Sequence, residues 1–172
     1  MSTSSEPLAV GTLLAALGVI SGLQRELAAL LNHEHRILTA MSVEELLKLD
    51  AQKEAVLERI RVQAQEVTTC MSALAQAMRL PETEASSLSR LASHLREPDR
   101  TRLRQAQEAL IALTGAVREQ NRVNDRLIHG CLAYVTQFMN LLRSMLAGVP
   151  GYLPNGAVQE SSASGRLLAL KG

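Results

Sequence analysis

The chain has 172 residues, a formal net charge of +1, 47% apolar residues and 2% aromatic ones. Leu fills 30 positions and Ala 23, and the only rings are Tyr134, Phe138 and Tyr152. The residues that fill the pleated faces of β-sandwiches and barrels are scarce. The aliphatic content excludes a collagen-like or disordered chain, and the balanced charge lacks the basic excess of a nucleic-acid binder. What remains is an all-α protein with a Leu/Ala core, long enough for one domain.

From Pro7 to Gln24 the chain carries no charge, close to the minimum for a membrane span. Gly18 and Gly22 have a spacing used for close helix approach in bilayers. Gly11, Thr12, Ser21 and Gln24 interrupt this run, no aromatic or basic residue anchors it, and its periodicity continues into charged sequence. The expectation is the first half of a bundle helix whose glycines allow tight packing, with no stable membrane insertion. Leu13, Leu17, Ile20, Gln24, Leu27, Leu31, Glu34, Leu38 and Met41 alternate in steps of four and three, flanked by Leu23, Leu30 and Ile37. So wide a stripe faces more than one partner helix. The predicted helix covers 7–40, with Ser5 as cap, Glu6 in the first turn and Pro7 at the start.

Ser42 and Glu45 read as a capping box opening a second helix over 43–79. Its stripe is Leu46, Asp50, Lys53, Leu57, Ile60, Ala64, Val67, Met71, Leu74 and Met78. The short turn between the two helices makes them antiparallel neighbours. Asp50 and Lys53 interrupt the stripe; they can pair one turn apart, or be solvated at the end of the bundle. Pro81 ends this helix. A short helix over 84–96 can bury Leu88, Leu91 and Leu95 and ends at Glu97-Pro98. The last helix keeps the three-four rhythm without a slip from Leu103 to Met145. Gln120 and Asn124 lie on its stripe and Asn121 beside it. Buried amides cost stability unless satisfied, and they can fix register or partner choice; the alternative is a bundle that is wet at this level. Gly148-Val149-Pro150-Gly151 stops the helix. The expected architecture is an antiparallel bundle of three long helices plus one short helix over 1–147, with a flexible tail over 148–172. The apolar run Arg166–Lys171 within the tail has no assigned role.

Sites of chemistry are scarce. No phosphate loop, dinucleotide fingerprint or serine elbow is present. In His33-Glu34-His35 the two imidazoles are two residues apart, so on one helix they do not face a common ion. Cys70 and Cys131 lack metal or redox spacing and read as small apolar residues. The first basic side chain is Arg25, so no secretory signal is expected, and the reading is cytoplasmic. No catalytic residue, metal, cofactor or small-molecule substrate is expected.

Three features together resemble the FlgN-type flagellar export chaperones. The first helix carries Leu27, Leu30, Leu31, Glu34 and Leu38, followed by a second containing Leu49-Asp50-Ala51-Gln52-Lys53. The final helix has Asn121, Asn124, Leu127 and Ile128, then apolar Tyr134, Phe138 and Leu142. Tyr152, Pro154, Asn155 and Gly156 follow that helix, with Leu153 where the family more often has Gly. The resemblance covers about 8–156 and implies a cytoplasmic chaperone for the hook–filament junction proteins FlgK and FlgL. Such a chaperone would hold the clients' C-terminal helical segments, prevent premature assembly and deliver them to the cytoplasmic domain of the export-gate protein FlhA. The expected client site is Tyr134, Phe138, Leu141, Leu142 and Met145, where Met residues suit a re-packing surface; the same side chains can equally be bundle core. The resemblance gives Tyr152 an export-gate docking role; the alternative is a ring folded back on the helix end. Heptads alone fit a structural coiled-coil or adaptor oligomer as well.

Overall fold

The computed structural model describes residues 5–147, 151–152 and 158–159. The elements are α1 (Ser5–Ala40), α2 (Val43–Ala77), a 3-10 turn (Glu82–Ser86), α3 (Leu88–His94), α4 (Asp99–Ala147), β1 (Gly151–Tyr152) and β2 (Val158–Gln159). The chain divides into two compact units, 1–125 and 126–172, and the division falls inside α4.

In the first unit α1 and α2 run antiparallel. Lys53 meets Glu34, Arg59 meets Glu26 and Gln63 meets the carbonyl of Ala16, so partners recede along α1 as the chain advances along α2. The first part of α4 runs the same way as α1: Leu103 packs in the cluster of Val10, Leu13 and Leu17, Val117 packs with Leu27 and Leu31, and Asn124 reaches Leu31 and Glu34. The order is therefore up, down, short crossover, up. The larger core cluster joins α1 to Cys70, Met71 and Leu74 of α2 and to Leu91, Ala92, Leu95 and Leu103. The smaller one holds Leu27, Leu31, Val56 and Val117. Leu13, Leu74, Leu91 and Leu103 are completely buried, and truncating any of them to Ala should cost about 2–5 kcal/mol.

The apolar stripe of α1 explains why this helix is long and apolar enough to cross a membrane: Val10, Leu13, Leu17, Ile20, Leu23, Leu27 and Leu31 are core. Its glycines do not make the expected tight contacts. Gly18 and Gly22 are exposed, and a Cβ on either would meet nothing within 4 Å.

Three local expectations are corrected. The capping box does not form, because Ser42 makes no side-chain cap bond. The reason lies in the end of α1. Met41 takes a left-handed conformation (φ 55°), its N–H donates to Leu38 O and that of Ser42 to Ile37 O, so the donor that Glu45 would have capped is already engaged. In its first part the stripe of α2 is rotated from the expected one, whereas Met71 and Leu74 of that stripe are buried as predicted. Leu49 and Val56 are buried, Lys53, Ile60, Gln63 and Val67 half-buried, and Leu57 and Ala64 exposed. The predicted helix over 84–96 is broken at Ser87, whose extended backbone (φ −145°, ψ 127°) separates the 3-10 turn from α3.

In the second unit the helix of α4 continues to Ala147. The expected tail over 148–172 lies outside the described residues except for β1 and β2, an antiparallel pair that sets Tyr152 opposite Val158 and that the sequence reading did not anticipate.

Candidate functional site

Two features of the expected site can be described, one in each unit. The first is a polar layer in the bundle. Glu34 on α1 is 2% exposed and Asn124 on α4 is 1% exposed. The Asn124 amide donates from Nδ2 to Leu31 O (2.7 Å) and to Glu34 Oε2 (2.9 Å). Its Oδ1 accepts from Gln120 Nε2 (3.1 Å) and pairs with His35 Nδ1 (3.2 Å). An asparagine has two donor hydrogens and two acceptor lone pairs, and all four are used. The other oxygen of Glu34 accepts from Lys53 Nζ on α2, which also reaches Asp50 Oδ1 at 3.3 Å.

Lys53 is thus not simply solvated at the bundle end. Burial alone would push its ammonium pKa down, but Glu34 and then Asp50 outweigh burial and hold it above 10.5. Three helices contribute to this layer, and each could do so because its stripe places a polar residue at that level. Gln120 is half-buried and Asn121 exposed, so of the three amides singled out, Asn121 lies outside the network. Glu34 and His35 are engaged here and His33 is exposed. Among the described residues no cluster of His, Cys, Asp or Glu could hold a metal ion. Burial, and secondarily Glu66, raises the Cys70 thiol pKa, the opposite of what a reactive cysteine needs.

The second feature is the helix surface from Arg126 to Ala147. Tyr134, Phe138, Leu141 and Met145 are 65%, 49%, 50% and 59% exposed. Their spacing of four, three and four puts them on one face, with half-buried Leu142 beside them. Leu132, Val135 and Met139 are also exposed. From Leu127 to Ala147 the only Asp, Glu, Lys or Arg is Arg143, whose Nη1 lies 3.4 Å from Asn140 Oδ1. So much exposed apolar side chain, interrupted by a single charged residue, marks an interaction surface. Sequence reasoning named Met139 among the methionines of this surface but missed Leu132 and Val135, because they lie off the stripe that the bundle uses. The backbone of Tyr152 lies in β1; its side chain is outside the described residues.

A family model described as FlgN protein matches residues 9–160. No curated protein and no solved structure matches the chain. The family match spans all but the first turn of the bundle and both short strands, and the chain therefore belongs to the FlgN family of flagellar export chaperones, which bind hook-associated proteins.

Proposed function

We propose that this chain is the cytoplasmic chaperone of the junction proteins FlgK and FlgL, taking their C-terminal helical segments on the face formed by Tyr134, Phe138, Leu141, Leu142 and Met145. The observation that carries this reading is the uncharged, exposed apolar face of the second unit. An amphipathic client helix needs such a face, read by side chains three and four apart. Tyr and Phe supply rigid anchoring area, and Met139 and Met145 supply adaptable packing. The chaperone keeps the client unassembled and delivers it to the cytoplasmic domain of FlhA, with Tyr152 as the docking residue for the gate. The role is one of binding, not catalysis.

The test is calorimetry of the purified chain against the C-terminal segments of both junction proteins, with light scattering for mass. One-to-one complexes are expected. Phe138→Ala with Leu142→Ala should weaken binding at least tenfold while leaving the helical signal unchanged, because neither side chain is buried core. Unchanged affinity in that folded variant overturns the site. Tyr152→Ala should weaken FlhA binding and spare the clients; loss of both, or of neither, overturns the docking role. A constitutive dimer that ignores both clients would support an adaptor instead.

A further inference from the structure

We infer that the polar layer of Glu34, Lys53 and Asn124 selects α4, in one register, as the third helix of the first unit. Apolar burial does not make this choice. It is non-directional, and the groove between α1 and α2 is lined by Leu, Ile and Val through both core clusters. The stripe of α4 repeats every seven residues from Leu103 onward. A slide of one heptad would put Leu110 where Leu103 sits and Val117 where Leu110 sits, apolar for apolar.

The polar layer breaks that degeneracy. A slide of seven residues one way brings Cys131 to Glu34; the other way brings Val117. Neither replaces the two N–H bonds that Asn124 donates to Leu31 O and Glu34 Oε2. A carboxylate only 2% exposed would then lose one of its two partners, which disfavours the slipped state roughly tenfold to a hundredfold. The discrimination is chemical as well as positional. An Asp at 124 would set a second carboxylate against Glu34, and a Leu would bring no donor. A single buried asparagine is known to fix register and partner number in helical assemblies in this way.

For a protein that handles amphipathic helices the consequence is specific. A foreign helix with the same stripe but no asparagine at this level is refused by the groove, so α4 keeps its place while clients are bound elsewhere. That use rests on the client-binding reading; the register selection does not.

The experiment therefore uses no client. Spin labels are placed on exposed Arg36 of α1 and Asn121 of α4 in the full chain, with Cys70→Ala and Cys131→Ser to remove the native thiols. The distance distribution is measured by double electron–electron resonance. The unaltered layer should give one narrow peak. Glu34→Leu with Lys53→Met and Asn124→Leu should leave the chain helical and monomeric or swapped, and add a second peak from α4 shifted by about 10 Å along its axis, seven residues of helical rise. Moving the asparagine in the direction that keeps apolar on apolar, by Cys131→Asn in place of Cys131→Ser and with Asn124→Leu, should make the displaced peak the major one. A single native peak in both variants overturns the inference. Loss of helix in the apolar variant also overturns it, since a layer that only selects is dispensable for folding. Absence of client binding leaves the result unaffected.

Discussion

Replacing Lys53 by Met tests the electrostatics of the polar layer directly. The substitution keeps an unbranched side chain one atom shorter and removes its charge. Glu34 is then a carboxylate 2% exposed with Asn124 as its remaining side-chain donor. Breaking a fully buried ion pair costs about 3–5 kcal/mol. Here Lys53 keeps 18% side-chain exposure and Asn124 still donates, so the expected loss is about 2–3 kcal/mol. That corresponds to a fall in Tm of about 5–10 °C for a chain of this size. Adding Glu34→Leu removes the stranded charge and should bring stability back to within about 1 kcal/mol of the starting protein. The assay is urea unfolding followed by far-ultraviolet circular dichroism at pH 7. The sign with pH follows from the raised ammonium pKa, with the folded value above the unfolded 10.5. The contribution of Lys53 is complete below about pH 10.5 and is lost as pH rises through the folded value. The unaltered chain should lose stability in that window by a step that Lys53→Met lacks. A cost below about 1 kcal/mol for Lys53→Met would refute the reasoning, because it would mean that water reaches Glu34. So would a double variant no more stable than the single one, because packing rather than charge would then be at fault.

Two further substitutions should stabilise the bundle. The side-chain oxygen of Gln24 is buried without a hydrogen-bond partner, between the levels of Ile20 and Leu27. Gln24→Met should therefore raise unfolding free energy by about 1 kcal/mol, and a loss measured by urea unfolding would show that the oxygen is satisfied in solution. Arg79 is exposed and holds a left-handed conformation (φ 56°) at the end of α2, where its N–H donates to Gln76 O and that of Leu80 to Ala75 O. Glycine meets that backbone without a Cβ penalty, though it adds freedom to the unfolded chain. Arg79→Gly should gain about 0.5–1 kcal/mol net, read as a rise in Tm; a fall would place the strain elsewhere.

The sequence was legible where one stripe dominates. In α1 and the first part of α4 the three-four rhythm has a single reading, and its residues face inward. In α2 two rhythms compete: one through Leu46, Asp50, Leu57 and Ala64, the other through Leu49, Val56 and Gln63, both passing through Lys53, Ile60 and Val67. Leu46, Leu47, Leu49, Val56 and Leu57 supply apolar residues to either. The choice is tertiary, because only the folded hairpin brings Lys53 to Glu34, 19 residues away. The lost capping box has a similar origin. A methionine at φ 55° carries no glycine-like signal, yet it diverts the Ser42 N–H. The polar character of Asn124 was visible; its partners, about 90 residues distant, were not. The apolar face after Arg126 is the opposite case: core and interaction surface read identically along a chain, and only exposure tells them apart.

The pairing of Asn124 with Leu31, 93 residues apart, also sets an order of events during synthesis. The hairpin of α1 and α2 is local and can form as soon as its second helix is available. Its groove stays open until the first part of α4 arrives, and closing so long a loop is slow compared with forming the helices themselves. The nascent hairpin is therefore a half-built bundle with its Leu and Val side chains wet and a carboxylate waiting for its asparagine. The vulnerable interval for aggregation falls after residue 77 and ends near residue 124. In the finished protein the exposed apolar surface lies not in the groove of the first unit but on the helix of the second, which is synthesised after it.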